Sequence, residues 1–232
     1  MKITMIAGHG AGDPGCSGTI NGKIYREADE ARILVPLIAA ELQRCGVEVV
    51  VRDPSRNAYR DAMAGQLVFP SGCKYLLEVH FNAVKAGQVA DGKTKGVEVL
   101  VTANEKGVTV EEGICRAIAS FGFANRGVKR RSNLKVINTA KARGISSALL
   151  EVCFLDDPDD LKLYLANREK IARAVADAIC EGFGIELPKE TDREIVQRCY
   201  EFNDETMAFF DGHRFPAALY DRMARMAEKA MN

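Results

Sequence analysis

Residues 74–80 read KYLLEVH and residues 147–153 read SALLEVC. Each is a short, nearly unbroken apolar run that ends in a polar or reactive group, the pattern of a strand covered on both faces. Pro70-Ser71-Gly72 breaks the chain before the first run. Working outward, ITMIA (3–7), VEVVV (47–51) and VEVLV (97–101) read the same way, and LKVI (134–137) reads as a shorter strand. Helical stretches lie between them. From Ala28 to Cys45 the apolar positions 33, 34, 37, 38 and 42 form one stripe ended by Gly46, with Pro36 predicting a kink or a delayed start. Ser55 is placed to cap a helix running through Val68. Further helices are expected near 105–121 and between Pro158 and Phe183. Residues 10–26, with five glycines and a proline, read as a long loop, and 82–95 as a second. This alternation predicts an α/β fold: a twisted, mostly parallel sheet flanked by helices, with a small C-terminal helical appendage.

The 232 residues, 47% hydrophobic and 28% charged, suffice for one domain with a sizeable core and exclude a disordered or disulfide-scaffold chain. GIELPKE at 184–190 marks a boundary, giving a front domain over 1–187 and an appendage over 188–232. The appendage reads as two helices, Asp192–Phe210 and Pro216–Met231, separated by Asp211-Gly212-His213. So short a piece is expected to lack an independent core without help, so it is read as packing on the front domain or pairing as a homodimer. Lys+Arg and Asp+Glu both number 32, so no nucleic-acid partner is expected. The longest apolar run, Ile33–Ala40, is far short of the roughly 18 residues of a membrane span. MKITMIAGHG lacks the roughly 7–15-residue apolar stretch of a secretory signal. The seven cysteines are scattered without a CxxC pair and read as reduced packing residues. A cytoplasmic location is the resulting expectation.

The chain has three histidines, at 9, 80 and 213. His9 and His80 close predicted strands, and in parallel α/β sheets ligands collect beyond the carboxyl ends of strands. Two histidines with one glutamate are a known zinc donor set that leaves a position open. Glu27, at the mouth of the first long helix, is the natural third donor. Glu151 sits in a buried-looking strand, where a carboxylate is costly unless paired or near a metal, and it suits a general base that later acts as acid. Glu78 shares a strand face with His80 and is placed to orient its imidazole, or else lies solvated at a sheet edge. Each of these residues alone has an ordinary structural reading, and spacing alone makes only a weak metal site. Arg126, Lys129, Arg130 and Arg131 read as a solvated basic loop rather than as a rim for carboxylates.

Six blocks change that weight: GHGAGDPG (8–15), Glu27, EVHFNA (78–83), GVEVL (96–100), NRGVK (125–129) and LLEVCFLDDPDD (149–160). In this order they resemble the zinc-dependent N-acetylmuramoyl-L-alanine amidases of the amidase-3 type, found among phage endolysins and bacterial autolysins. The resemblance covers about residues 1–185. It implies Zn2+ held by His9, Glu27 and His80, catalysis by Glu151, and Asn82 bonding substrate amides in the cleft. It also implies hydrolysis of the amide between N-acetylmuramic acid and L-alanine in peptidoglycan. The lack of a secretory signal and the reduced cysteines add the expectation of a phage or prophage lysin, or equally a spore-associated one, that stays cytoplasmic until released onto the cell wall. Binding the cell wall is then a further expected role for the 188–232 appendage. Two rival expectations are another zinc peptidase or deacetylase of the wall and a non-catalytic wall-binding module. The chain departs from the family pattern at Glu78, often serine there, and at Asp157, often asparagine. The short 83–95 stretch leaves no room for the inhibitory helix of some cell-division amidases.

Overall fold

The computed structural model describes residues 1–10, 12–84, 91–200, 202–212 and 216–231. His213, read as part of a helix connector, lies outside them. The chain divides into two compact units, Met1–Leu187 and Pro188–Asn232.

The first unit runs β1 (Lys2–Ala7), β2 (Ser17–Ile20), β3 (Lys23–Arg26), α1 (Glu27–Arg44), β4 (Glu48–Val51), α2 (Ala58–Met63), β5 (Cys73–Asn82), β6 (Val97–Thr102), α3 (Thr109–Ala119), β7 (Asn125–Arg131), α4 (Lys135–Lys141), β8 (Ser146–Phe154) and α5 (Pro158–Gly182). Six strands form one sheet in the order β4-β1-β5-β8-β6-β7. Every neighbouring pair is parallel except β6 with β8. The α/β fold with a mostly parallel sheet is therefore as expected.

Side-chain alternation sends Tyr75, Leu77, Val79 and Phe81 of β5 to the face packed by α1, α3 and α5, the larger core. The opposite face carries Ile6, Leu76, Leu100 and Leu149 under Ala58 and Ala62 of α2 and Val136, Ile137 and Ala140 of α4. These two helices have only 6 and 7 residues, about 10 Å of helix each, against a 10-residue β5 about 33 Å long. They cover part of the face. Glu78, His80 and Asn82 of β5 and Glu151 of β8 continue the same face beyond the apolar patch.

Several elements differ from the sequence reading. Residues 10–26 contain the hairpin β2–β3 instead of only loop, turned at Asn21 (φ 49°) and Gly22 (φ 76°). Both φ values are positive, as the type I′ form of a two-residue hairpin turn requires. Helix α1 starts at Glu27 and runs through Pro36, so the proline does not delay it. Helix α2 is capped by Asn57, whose side chain accepts from Arg60 N, and is far shorter than a helix from Ser55 to Val68. Ser55 instead turns onto Asp53. The predicted strand at 134–137 lies almost wholly in α4. The strand in this region is β7, whose charged residues suit a sheet edge that must resist further pairing.

In the second unit the predicted Asp192–Phe210 helix is two helices, α6 (Asp192–Cys199) and α7 (Asp204–Asp211), followed by α8 (Pro216–Met231). Asn203 interrupts the run by capping α7, accepting from Thr206 N. Val196, Met207, Tyr220 and Ala224 form its small core, and the Tyr220 hydroxyl donates to Asp211 at 2.7 Å. No helix among the described residues is long and apolar enough to cross a membrane.

Asp160, fully buried in the first turn of α5, stitches the upper end of the sheet together. Its carboxylate accepts from Lys95 N (2.8 Å), Gly96 N (2.9 Å) and Phe154 N (2.8 Å). Asp160→Ala leaves three amides without this acceptor and should lower unfolding free energy by about 3 kcal/mol, read as a fall in the urea midpoint.

Candidate metal centre and active site

The first strand ends in a tight turn. Gly8 N still donates to Val79 O at 2.9 Å, continuing the ladder, and His9 then takes a left-handed conformation, φ 58°. Arg32 of α1 holds this turn. Its Nη1 donates to Gly8 O (3.0 Å) and Ala28 O (2.7 Å), its Nη2 to His9 O (3.1 Å) and its Nε to Pro54 O (2.9 Å). The His9 ring is oriented by Asp13, with Nδ1 3.0 Å from Oδ2, which leaves Nε2 facing inward. Asp13 in turn accepts from Gly15 N (3.2 Å), and Asn57 Nδ2 donates to Gly10 O (3.2 Å). Arg32, Asp13 and Asn57 were not singled out from the sequence. Only Asp13 carried a signal, as the aspartate of GHGAGDPG.

Glu27, 3% exposed, is the hub. Its Oε1 lies 3.1 Å from His9 Nε2 and 2.9 Å from His80 Nδ1, and accepts from Phe81 N at 3.0 Å. Its Oε2 accepts from Cys16 N at 2.9 Å. The two imidazole rings meet edge to face, centroids 4.9 Å apart. One donor atom from each of His9, Glu27 and His80 falls within a 4.8 Å cluster. Burial opposes charge on Glu27, but the two imidazoles and the Cys16 amide more than offset it and hold its pKa far below the usual carboxylate range. Burial likewise opposes a charged His80, and Glu27 and Glu78 outweigh it, raising that pKa. The bond to Glu27 raises His9.

Glu78 Oε1 lies 3.3 Å from His80 Nε2, a ring nitrogen that makes no hydrogen bond. Glu78 is thus beside the imidazole and 5% exposed, not at a solvated edge. His80 and Glu151 face each other in the β5–β8 register. Glu151 Oε2 is buried without a hydrogen-bond partner. Burial pushes its pKa up to about 7, countered by His80 and reinforced by Glu27, Glu98 and Glu78. The Asn82 side chain is occupied within the protein, donating from Nδ2 to Glu98 Oε1 (3.1 Å) and accepting from Ala83 N (2.9 Å). One of its amide hydrogens remains for a substrate. Cys16, which points to the Phe81 and Asn82 carbonyls, has a thiol pKa raised by burial and so packs rather than reacts.

The donor set fits a metal. Two imidazoles and one carboxylate, gathered within 4.8 Å, with Asp13 and Glu78 beside the outward ring nitrogens, form the arrangement that zinc sites use. Space here is tight: a Cβ on Gly8 would overlap the His80 ring. Gly8→Ala should therefore cost about 2 kcal/mol of overpacking, a fall in Tm of ~4–8 °C by differential scanning calorimetry.

Residues 3–181 match the family model described as Amidase_3, N-acetylmuramoyl-L-alanine amidase. A curated relative, Probable autolysin PH of Staphylococcus aureus, is 28% identical over 192 residues, 77% of this chain. The chain spans only 38% of that relative's length. Among solved structures, the catalytic domain of the CD27L endolysin targeting Clostridia difficile superposes with TM-score 0.61 at 24% identity, covering 78% of this chain and 97% of that one. The catalytic domain of CwlV, an amidase of Bacillus (Paenibacillus) polymyxa var. colistinus, gives TM-score 0.62 at 20% identity, covering 80% and 99%. At these identities the two structures speak to the fold alone. With the family model matching most of its length, the chain belongs to the N-acetylmuramoyl-L-alanine amidase family of the Amidase_3 type.

Proposed function

We propose that this chain hydrolyses the amide joining N-acetylmuramic acid to L-alanine in peptidoglycan, with Zn2+ held by His9, Glu27 and His80 and with Glu151 as general base and acid. The observation that carries the reading is the 4.8 Å donor cluster beside a buried carboxyl that lacks a hydrogen-bond partner. Zinc bound there supplies Lewis-acid polarisation of the carbonyl and a water of lowered pKa. Everything else falls to the chain's own groups. Glu151, with its pKa near 7, takes a proton from the attacking water and returns it to the alanine nitrogen as the C–N bond breaks. Asp13 keeps the His9 ring turned so that Nε2 points inward, and Glu78 sits against the far nitrogen of His80. Asn82 uses one amide hydrogen on Glu98 and offers the other to the substrate.

The test is digestion of purified peptidoglycan, counting new amino termini and new reducing ends in parallel, with and without a zinc chelator. New N-terminal alanine, no reducing ends and loss of release under chelation are the expected outcome; reducing ends, or release unaffected by chelation, would sink the reading. Glu151→Gln should retain about one zinc per chain while losing roughly 10²–10⁴ in kcat. His80→Ala should lose the zinc itself, read by atomic absorption.

The Pro188–Asn232 unit serves self-association as a homodimer in this reading, rather than catalysis. Phe209 of α7 is 73% exposed and Met226 of α8 59% exposed, which supports an apolar contact for a second copy. Phe209→Glu should halve the mass measured by light scattering; an unchanged monomer mass in both proteins removes the dimer. Buried thiols at Cys73, Cys115, Cys153 and Cys180 support a chain that folds in a reducing cytoplasm, as a phage or prophage lysin does before its release onto the cell wall.

A further inference from the structure

We infer that Arg126 and Lys129 form a carboxylate subsite that takes the peptide side of the substrate and fixes which way it lies across the sheet. The inference rests on the amidase reading above. Residues 126 and 129 are an odd number apart, so in a regular strand their side chains would leave opposite faces. The register shows why they do not. Val97 pairs with Asn125 and Val99 with Val128, so three steps of β7 match two of β6. The extra residue is a bulge, with Gly127 at φ 72°. Arg126 and Lys129 therefore converge on one carboxylate oxygen, Glu98 Oε2, Arg126 Nε at 2.6 Å and Lys129 Nζ in close contact.

Two cations thus meet one anion. The Glu98 side chain is 9% exposed, while Arg126 is 38% and Lys129 30% exposed. The Arg126 guanidinium also lies over the Phe154 ring, 4.9 Å from its centroid. It is anchored through Nε and stacked on a ring, and among the described residues its Nη1 and Nη2 make no hydrogen bond. A held planar fork with surplus positive charge is what a carboxylate recognises in bidentate fashion. Neighbouring arginines are spent differently: Arg130 Nη1 goes to Glu105 O and Arg131 Nη1 to Arg130 O.

Position gives the subsite its meaning. Glu98 faces Glu151 directly in the β6–β8 register. Strand β7 therefore lies two spacings from β8, about 9.6 Å. Two extended peptide residues reach about 7 Å, and the Arg126 side chain closes the remainder. In the substrate the lactyl carboxyl of the sugar is consumed in the scissile amide, so every free carboxylate belongs to the peptide. The leaving peptide runs over β6 and β7, and the glycan lies toward β1 and β4.

The probes are three muramoyl peptides tested on the full-length zinc enzyme: an alanyl-glutamate dipeptide, the same dipeptide with its carboxyls amidated, and a tripeptide with a carboxylate only on its third residue. The acid dipeptide should exceed its amide about tenfold in kcat/KM, mostly through KM. If the tripeptide carries the advantage instead, the subsite reads the third residue rather than the second, and the orientation stands. Arg126→Gln should bring the ratio of acid to amide near one, Arg126→Lys should leave an intermediate ratio, and Arg131→Gln, an equal loss of charge at the far end of β7, should leave it as in wild type. Equal rates on all three substrates in wild type, or a ratio that survives Arg126→Gln or disappears with Arg131→Gln, would overturn the subsite while leaving the amidase standing. Failure to cut any of the three would overturn both.

Discussion

A buried carboxylate on the first residue of a helix governs this site. Burying Glu27 would cost several kcal/mol if its charge were unmet. The helix start helps through its dipole, but the larger share comes from four donors on two separate segments: His9 and Cys16 on the glycine-rich stretch, and the His80 ring and the Phe81 amide on β5. Each of those segments is thereby referred to the same two oxygens. Gly15 shows how closely they pack, since a Cβ there would overlap both Glu27 and His9. Gly8 and Gly10 are crowded in the same way, by the His80 ring and by Arg32, whereas Gly12 meets no neighbour and serves its φ of 88°.

The sheet supplies the second constraint. Its helix-poor face is only partly roofed, because α2 and α4 are too short to run the length of β5 and β8. What lies beyond them is a row of polar groups at one level, His80, Glu151 and Glu98, set by register across three adjacent strands. The single antiparallel pairing matters here, since β6 and β7 both run against the other four strands. Because β6 runs against β8, it is the beginning of β6, not its end, that lies beside the end of β8. Were β6 parallel, Thr102 would stand nearer that level and Glu98 would be at the opposite end of the sheet.

The strands and the long helices α1 and α5 were legible because burial on both faces, or one buried stripe, leaves a periodic imprint in the residues. His9, Glu27, His80 and Glu151 were legible as candidates from their place at strand and helix ends, and the structure brings them together. What escaped has physical reasons. Strand β7 is an edge, so NRGVKRR carries charge where a central strand would carry valine. The β2–β3 hairpin hid among glycines, although Asn21-Gly22 is a strong turn signal and was there to be used. Arg32 acts through backbone carbonyls, which no side-chain pattern announces. The break between α6 and α7 rests on one cap, Asn203, within a continuous apolar stripe.

Charge across the polar row is ordered in a way that protects the proposed base. Arg126 and Lys129 are close enough in register to be drawn toward any carboxylate at this level, and cations against Glu151 would lower its pKa. Glu98 stands between and takes both of them on one oxygen, with Asn82 on the other. Glu151 is left with a buried, unpartnered oxygen and with Glu27, Glu98 and Glu78 as negative neighbours, so its pKa rises to about 7 despite His80. A carboxyl in that range exchanges protons readily near neutrality, which a group serving as base and then as acid requires. Glu98 thus separates two roles that would otherwise conflict: cations at the rim for recognising negative charge, and a carboxyl one strand away that must remain free to take up a proton.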